Sequence, residues 1–393
     1  MRLFLLAAAC LFAACAEAQP ERGQANADFS PVFSQQTRAP LHVSGAAIAI
    51  EQIARGLHHP WAIAFLPDGR ALVSERSGRL RVVSRDGEIS GPVAGLPRVD
   101  ARGQGGLLDV ALSPDFSRDR LIYWSYSEPR EDGGNGTSVA RGRLSEDAAR
   151  VSNVDVIFRQ TPSWRSQGHF GSRLDFDRDG HLFITLGERQ SMESRVFAQD
   201  LSTHFGKIVR INADGSVPAD NPFAGRQGVR PEIWSYGHRN PQGADIDPAT
   251  GVLWTIEHGP RGGDELNPVQ AGRNYGWPII SYGEEYDGSP VGAGIAVQEG
   301  MEQPAYYWDP VIAPGDMDFY EGDLFPWRGD ILIAGLRSEA LVRLELEGGR
   351  VVGEERFELG IGRIRDLAEA GDGAVWIVTD EGNGRVLRLT PTR

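Results

Sequence analysis

The sequence predicts an all-β fold, on three observations. Glycine fills 49 of the 393 positions and proline 24, a density of chain-turning residues that suits short strands better than long helices. The hydrophobic fraction is 40% and the charged fraction 24%, the balance of a folded domain with a sizeable core. Finally, one unit recurs along the chain: an apolar alternating segment, an Asp/Gly/Pro turn, and a second apolar segment.

There are six such units. They are IAFLPDGRALVSE from Ile63, VALSPDFSRDRLIYWS from Val110, LDFDRDGHLFITLGE from Leu174, ADIDPATGVLWTIEHG from Ala244, DLFPWRGDILIAGL from Asp323 and LAEAGDGAVWIVTDE from Leu367. Each predicts an antiparallel hairpin with one face toward the core, because period-2 alternation separates the faces and the turn reverses the chain. The turns fall near Asp68, Arg118, Asp179, Ala249, Gly329 and Asp372, a blade-sized recurrence that predicts a six-bladed β-propeller over residues 46–393. The spacing is uneven. Long connections are expected between Gly187 and Ile246 and between His258 and Trp308, where a rigid scaffold would carry its binding loops.

One turn resembles a metal loop. Asp175, Asp177, Asp179 and Gly180 match the first half of an EF-hand, but the required acidic position is Leu186 and no helix pattern flanks it, so a plain hairpin is expected.

Residues 1–18, MRLFLLAAACLFAACAEA, have the basic start, apolar run and small residues of an export signal. Cleavage falls after Ala18 or, if LFAAC is a lipobox, before Cys15, which would then carry a lipid and attach the protein to a membrane. Either way the expected location is the periplasm. Residues 19–45 are expected as a polar leader or tether. Both cysteines, Cys10 and Cys15, fall in the signal, leaving the mature domain no internal disulfide.

The net charge of −14 argues against nucleic acid, whose binding rests on basic patches. Lys207 is the only lysine. Three of the eight histidines lie in polar, glycine-flanked segments: His169 in SQGHFGSRL, His238 in YGHRNPQG and His258 in IEHGPRGGDELN. No strand leads through G-x-G-x-x-G into a helix, so a nicotinamide cofactor is not expected, and no C-x-x-C-H motif offers a haem.

Eight segments occur in an order that resembles the soluble PQQ-dependent glucose and aldose sugar dehydrogenases, calcium-dependent six-bladed propellers. They are GLHHPWAIAFLPDG, GQGGLLDVALSPDF, HFGSRL, GKIVRIN with PADNPF, YGHRNPQG, EHGPRGGDELN, NYGWP and GRIRD, spanning about Leu57 to Leu389. The resemblance implies oxidation of an aldose at C1, with pyrroloquinoline quinone (PQQ) and calcium as cofactors and a separate electron acceptor. It implies that His169 is the general base, and neutral imidazole suits that task near pH 7.

Arg239 and Asn240 match the pair that contacts the quinone, with Arg239 placed to stabilise charge developing on it. The carbonyls of Gly259 and Pro260 match calcium ligands, and Glu265 and Tyr275 match positions at a second, structural calcium. Arg363 and Arg365 match cofactor-binding arginines, as a tricarboxylate requires, and their spacing of two on an extended segment puts them on one side. Arg337 stands where the family usually has lysine. Gln104 and Trp308 match positions near the sugar and the cofactor ring. Gly168 departs from the aspartate of the glucose enzyme, so the aldose branch is the better match. Calcium-dependent lactonases and a non-catalytic ligand-binding propeller are the competing readings.

Overall fold

The computed structural model describes residues 22–392. The expected export signal, with Cys10, Cys15 and Ala18, lies outside them. Among the described residues no helix is long and apolar enough to cross a membrane.

Strand β1 (Ile48–Leu57) belongs to the last blade, described below. Blade 1 is β2 (Pro60–Phe65), β3 (Ala71–Glu75) and β4 (Arg79–Val83). Blade 2 is β5 (Leu107–Leu112), β6 (Leu121–Pro129), β7 (Asn135–Leu144) and β8 (Val151–Arg159). Blade 3 is β9 (Leu174–Phe176), β10 (His181–Leu186), β11 (Lys207–Asn212) and β12 (Ile233–Tyr236). Blade 4 is β13 (Pro241–Ile246), β14 (Leu253–Glu257), β15 (Asp264–Pro268) and β16 (Tyr306–Trp308). Blade 5 is β17 (Pro314–Phe319), β18 (Ile331–Gly335), β19 (Leu341–Glu347) and β20 (Arg350–Phe357). Blade 6 is β21 (Ile364–Glu369), β22 (Val375–Thr379) and β23 (Gly384–Pro391), with β1 added outside β23.

The inner strands β2, β5, β9, β13, β17 and β21 touch in that order, and β21 returns to β2, which closes a six-bladed propeller. Because β1 comes from the start of the chain and β23 from its end, their ladder from Ile48↔Pro391 to Leu57↔Gly384 locks the ring shut. Five of the six sequence units are the first two strands of a blade; the unit from Asp323 holds only β18, because the first strand of blade 5, β17, ends at Phe319 before that unit begins. One expectation changes. The second strands β3, β14, β18 and β22 are buried at every residue, so both faces are in the core. Blades pack against neighbours on either side, and an inner strand therefore has no solvent face.

The segment read as a leader also has structure from Arg22 on. The backbone N–H groups of Asn26 and Ala27 donate to the Asp309 carboxylate. Gln36 is fully buried and donates to Pro304 O at 3.0 Å, while Ala39 sits in the core with Trp254 and Tyr306. Satisfied polar groups pin this stretch onto blade 4.

Inner strands are joined through aspartates. Asp109 on β5 accepts the N–H of Leu174 on β9, Asp245 on β13 accepts that of Phe319 on β17, and Asp366 on β21 accepts that of Ile63 on β2, each at 2.7 Å. Arg173 fills the centre. Its guanidinium lies 3.1 Å from Asp109, 3.0 Å from Asp316 and 2.7 Å from Asp366, so one cation ties blades 2, 5 and 6 to blade 3. Lys207 is a second structural cation: wholly buried, it donates to the carbonyls of Phe197, Ala198 and Phe205 at 2.7–2.9 Å, and burial pulls its pKa down to about 7.

In an antiparallel blade the first-to-second turns lie on one face of the ring, and the second-to-third and blade-to-blade connections lie on the other. The Asp/Gly turns are therefore on the face opposite every chemical candidate.

Candidate active site

His169 precedes β9 in a left-handed conformation (φ 48°) and is only 4% exposed. Its Nδ1 lies 3.0 Å from Glu188 Oε1, and its backbone N–H donates to Gln104 Oε1 at 2.8 Å. Burial, assisted by the Arg239 and Arg189 cations, holds the imidazole below its ordinary pKa in spite of Glu188. Burial alone would raise the Glu188 carboxyl, but His169 and Arg239 outweigh it and hold the group ionised. The geometry at Nδ1 does not meet that of a hydrogen bond, so Glu188 stands beside the ring as a close charge, and a buried imidazole of lowered pKa is chemically suited to accept a proton.

Next to this loop a cavity of about 190 Å³ has Gln104 and Asn240 on its wall together with Arg76, Arg363, Arg365 and Asp380. Three guanidinium groups and one carboxylate line this cavity. Arg365 lies 3.5 Å and Arg363 3.6 Å from Asp380, whose pKa burial would raise but which Arg365, His59 and Arg363 together hold low. Arg365 Nε is buried without a partner, and burial lowers the pKa of this guanidinium. The two GRIRD arginines reach the same cavity, as their spacing predicts. Asn240 is fixed from two sides: its Oδ1 accepts the Gly171 N–H at 3.0 Å and its own N–H points at Glu257.

A second cavity, of about 20 Å³, holds space for a single small ion or water. Gly259, Pro260, Glu265 and Tyr275 all wall it, with Arg239 and Glu257. No hydrogen bond of the described residues ends on the Gly259 or Pro260 carbonyl. Glu257 and Glu265 are register partners across β14 and β15, and burial together with the Glu257 charge pushes the Glu265 carboxyl well above its usual range. The Tyr275 hydroxyl donates to Pro268 O at 2.7 Å. Arg239 is 6% exposed, donates to His258 O, lies 5.2 Å over the Trp277 ring and keeps Nε unpartnered. His258 lines both cavities. Its ring donates Nε2–H to Pro314 O at 2.7 Å, and burial pulls its pKa to about 3.

Three sequence candidates fall elsewhere. Trp308 is 2% exposed, on β16 in the core with Tyr306, its ring enclosed by blades 4 and 5. Arg337 is exposed one residue beyond the cavity-lining Leu336, in a neighbouring depression with Pro310 and Arg356. His238 is fully buried between Ser235 and Glu257, with a partner at each ring nitrogen, and is a structural residue. The Asp177 turn brings Asp179 and His181 together as a loose polar cluster on the hairpin, far from this face.

Residues 57–388 match the family described as Glucose / Sorbosone dehydrogenase. The chain belongs to this family. The Escherichia coli (strain K12) aldose sugar dehydrogenase YliI is 44% identical over 355 residues, covering 89% of this chain and 95% of the relative. Quinoprotein glucose dehydrogenase B of Acinetobacter calcoaceticus is 32% identical over 254 residues, 58% of this chain and 52% of that one. Among solved structures, the apo form of the soluble aldose sugar dehydrogenase from E. coli has a TM-score of 0.84 at 44% identity, covering 88% of this chain and 100% of that one. The PQQ-bound aldose sugar dehydrogenase of Streptomyces coelicolor has a TM-score of 0.73 at 30% identity, covering 88% and 98%. As a member of the Glucose / Sorbosone dehydrogenase family, the protein is an oxidoreductase of the sugar dehydrogenase type.

Sequence reasoning missed the carboxylates that support the site. Glu75 and Glu257 close the second strand of a blade, Asp380 follows one directly and Glu188 follows one after a single glycine, and each meets a residue just before or at the start of an inner strand. Glu75 accepts the His58 N–H, Glu188 faces His169, Glu257 accepts the Arg239 N–H, and Asp380 faces Arg365. The quoted repeats end in SE, LGE, IEHG and TDE, so the signal was present.

Proposed function

We propose that this enzyme oxidises the C1 hydroxyl of aldoses to lactones, using PQQ and calcium. The observation that carries the proposal is the surplus of positive charge in the larger cavity of a chain whose net charge is −14. Arg76, Arg363 and Arg365 suit an acidic cofactor of three carboxylates, and the unpartnered Nε groups of Arg365 and Arg239 are donors in need of acceptors. Gly259 and Pro260 offer free carbonyl oxygens beside Glu265, a hard-ligand set suited to calcium.

When bound, PQQ supplies a two-electron sink for the hydride leaving C1, and calcium polarises it. His169 takes the hydroxyl proton on Nε2, while Glu188 stabilises the imidazolium through Nδ1. Arg239, held by His258 O and the Trp277 face, keeps a fixed cation where negative charge grows. Gln104 and Asn240 bind and orient the reactants. The Glu188 carboxylate is spent on the ring and not on substrate, so the proton has one acceptor.

In this proposal residues 1–18 export the enzyme to the periplasm, with or without a lipid on Cys15, and electrons pass to a separate acceptor. The test is reduction of a dye acceptor by apo-protein given PQQ, calcium and a panel of aldoses. Sugar-dependent reduction requiring both cofactors is expected. Reduction that proceeds without PQQ, or that a nicotinamide cofactor supports, overturns it.

A further inference from the structure

Glu188, Arg189 and Gln190 are consecutive, and the first two are committed to the loop that carries His169. Glu188 faces the His169 ring and accepts the Gln190 backbone N–H. Arg189 is fully buried. Its terminal nitrogens donate to the carbonyls of Gly168 and His169 at 2.7 and 3.0 Å and to Asn135 Oδ1 at 2.6 Å, and its guanidinium lies 3.6 Å from the centre of the Phe170 ring.

Gln190 differs. It is exposed, and its one hydrogen bond among the described residues is made by its backbone, which leaves the side-chain amide uncommitted. Both Arg189 (φ 73°) and Gln190 (φ 57°) adopt the left-handed conformation, an unfavourable pair of non-glycine residues held by these bonds. The strain has a geometric result. The Gln190 Oε1 lies 1.6 Å from the point where a Cβ on residue 168 would stand, so the amide occupies the position a side chain next to the base would take. Gly168 is buried beneath it.

We infer that Gln190 is a specificity-determining residue, whose amide binds a sugar hydroxyl flanking the oxidised carbon. The inference rests on the proposed sugar oxidation. An amide both donates and accepts, so it can satisfy a hydroxyl in either role without adding charge beside His169.

The experiment uses the full-length protein loaded with PQQ and calcium. The kcat/KM values for glucose, its C2 epimer and 2-deoxyglucose are compared in wild type and Q190A, and binding of 1,5-anhydroglucitol, which lacks the C1 hydroxyl, is followed by calorimetry. Q190A is expected to lose about threefold to tenfold in kcat/KM on the preferred sugar, mainly through KM, and to narrow the discrimination against 2-deoxyglucose. A methyl group at position 168 pushes the flexible amide aside, so G168A should reproduce the effect by an independent route. Unchanged sugar ranking and unchanged anhydro-sugar binding in Q190A, with an active wild type, overturn the inference alone. A loaded wild type that neither binds nor oxidises any aldose overturns the proposed function, and the inference with it.

Discussion

Asp366 on the last blade accepts the backbone N–H of Ile63 on the first at 2.7 Å, while its other oxygen meets Arg173 at 2.7 Å. One carboxylate therefore joins the two ends of the ring to its centre. Asp366→Ala leaves the Arg173 cation with an incomplete set of partners and should destabilise the fold by about 3–5 kcal/mol, the usual cost of breaking a buried pair. Denaturant unfolding of the apo-protein measures this, and a loss within experimental error would mean that the ring does not depend on this tie.

His169→Ala should fold and bind PQQ, because the arginines proposed to hold the cofactor sit on other segments, and turnover should fall by about 10²–10⁴. The deficit should appear when sugar reduces the bound quinone, as followed by stopped-flow absorbance. Since burial lowers the His169 pKa, the wild-type rate should decline on the acid side only below the ordinary histidine range.

Arg363→Ala and Arg365→Ala should weaken PQQ binding more than they lower turnover at saturating PQQ. Their contacts are to carboxylates remote from the reacting carbon and change little between ground and transition states. Arg365, buried and facing Gln242 and Asp380, should show the larger effect than the half-exposed Arg363. Titration by quinone fluorescence or recovered activity separates the two quantities.

Exhaustive chelation should abolish sugar oxidation and leave the propeller folded, since the ring is closed by strands and by Arg173. Calcium should restore activity. Circular dichroism beside the activity assay distinguishes loss of the ion from loss of the fold.

Stability should depend on pH through the buried aspartates that join the inner strands. Burial raises Asp245 to about 7 and Asp109 to about 6, so the folded chain holds protons that the unfolded chain has lost. Their contribution is full below about pH 4, near the unfolded pKa, and fades as pH rises through 6 to 7. The buried histidines run the other way: His169 and His258 are lowered, so their contribution grows as pH rises toward the unfolded value of about 6.5 and is complete above it. The clean measurement is therefore a difference. Wild type should lose stability relative to Asp245→Asn between about pH 4 and 7, as read from thermal unfolding.

The fold was legible because hairpin units repeat: five of the six quoted segments specify the first two strands of a blade, and the sixth, from Asp323, marks the second strand of blade 5 but not β17 before it. What alternation could not show is how many faces of a strand are covered, since that depends on the neighbouring blade, and β3 and β22 are buried throughout. The site was legible where a motif names a residue beside the cavity, as with Gln104, Asn240, Arg363 and Arg365. Trp308, which the resemblance places near the cofactor ring, stands at a strand end among core residues, a position that packing alone also explains. Glu188 and Arg189 escaped because their partners lie about twenty positions earlier, and only the paired strands bring them together.

The burial of Lys207 has a practical side. Among the described residues no ammonium side chain reaches solvent, because the sole lysine is sealed against three carbonyls inside blade 3. Amine-reactive chemistry directed at side chains will find nothing on the folded surface, whether the aim is a fluorescent label or attachment to an electrode. Coupling through surface carboxylates is the available route, and an engineered lysine on the hairpin-turn face would provide a single handle pointing away from the arginine-lined cavity.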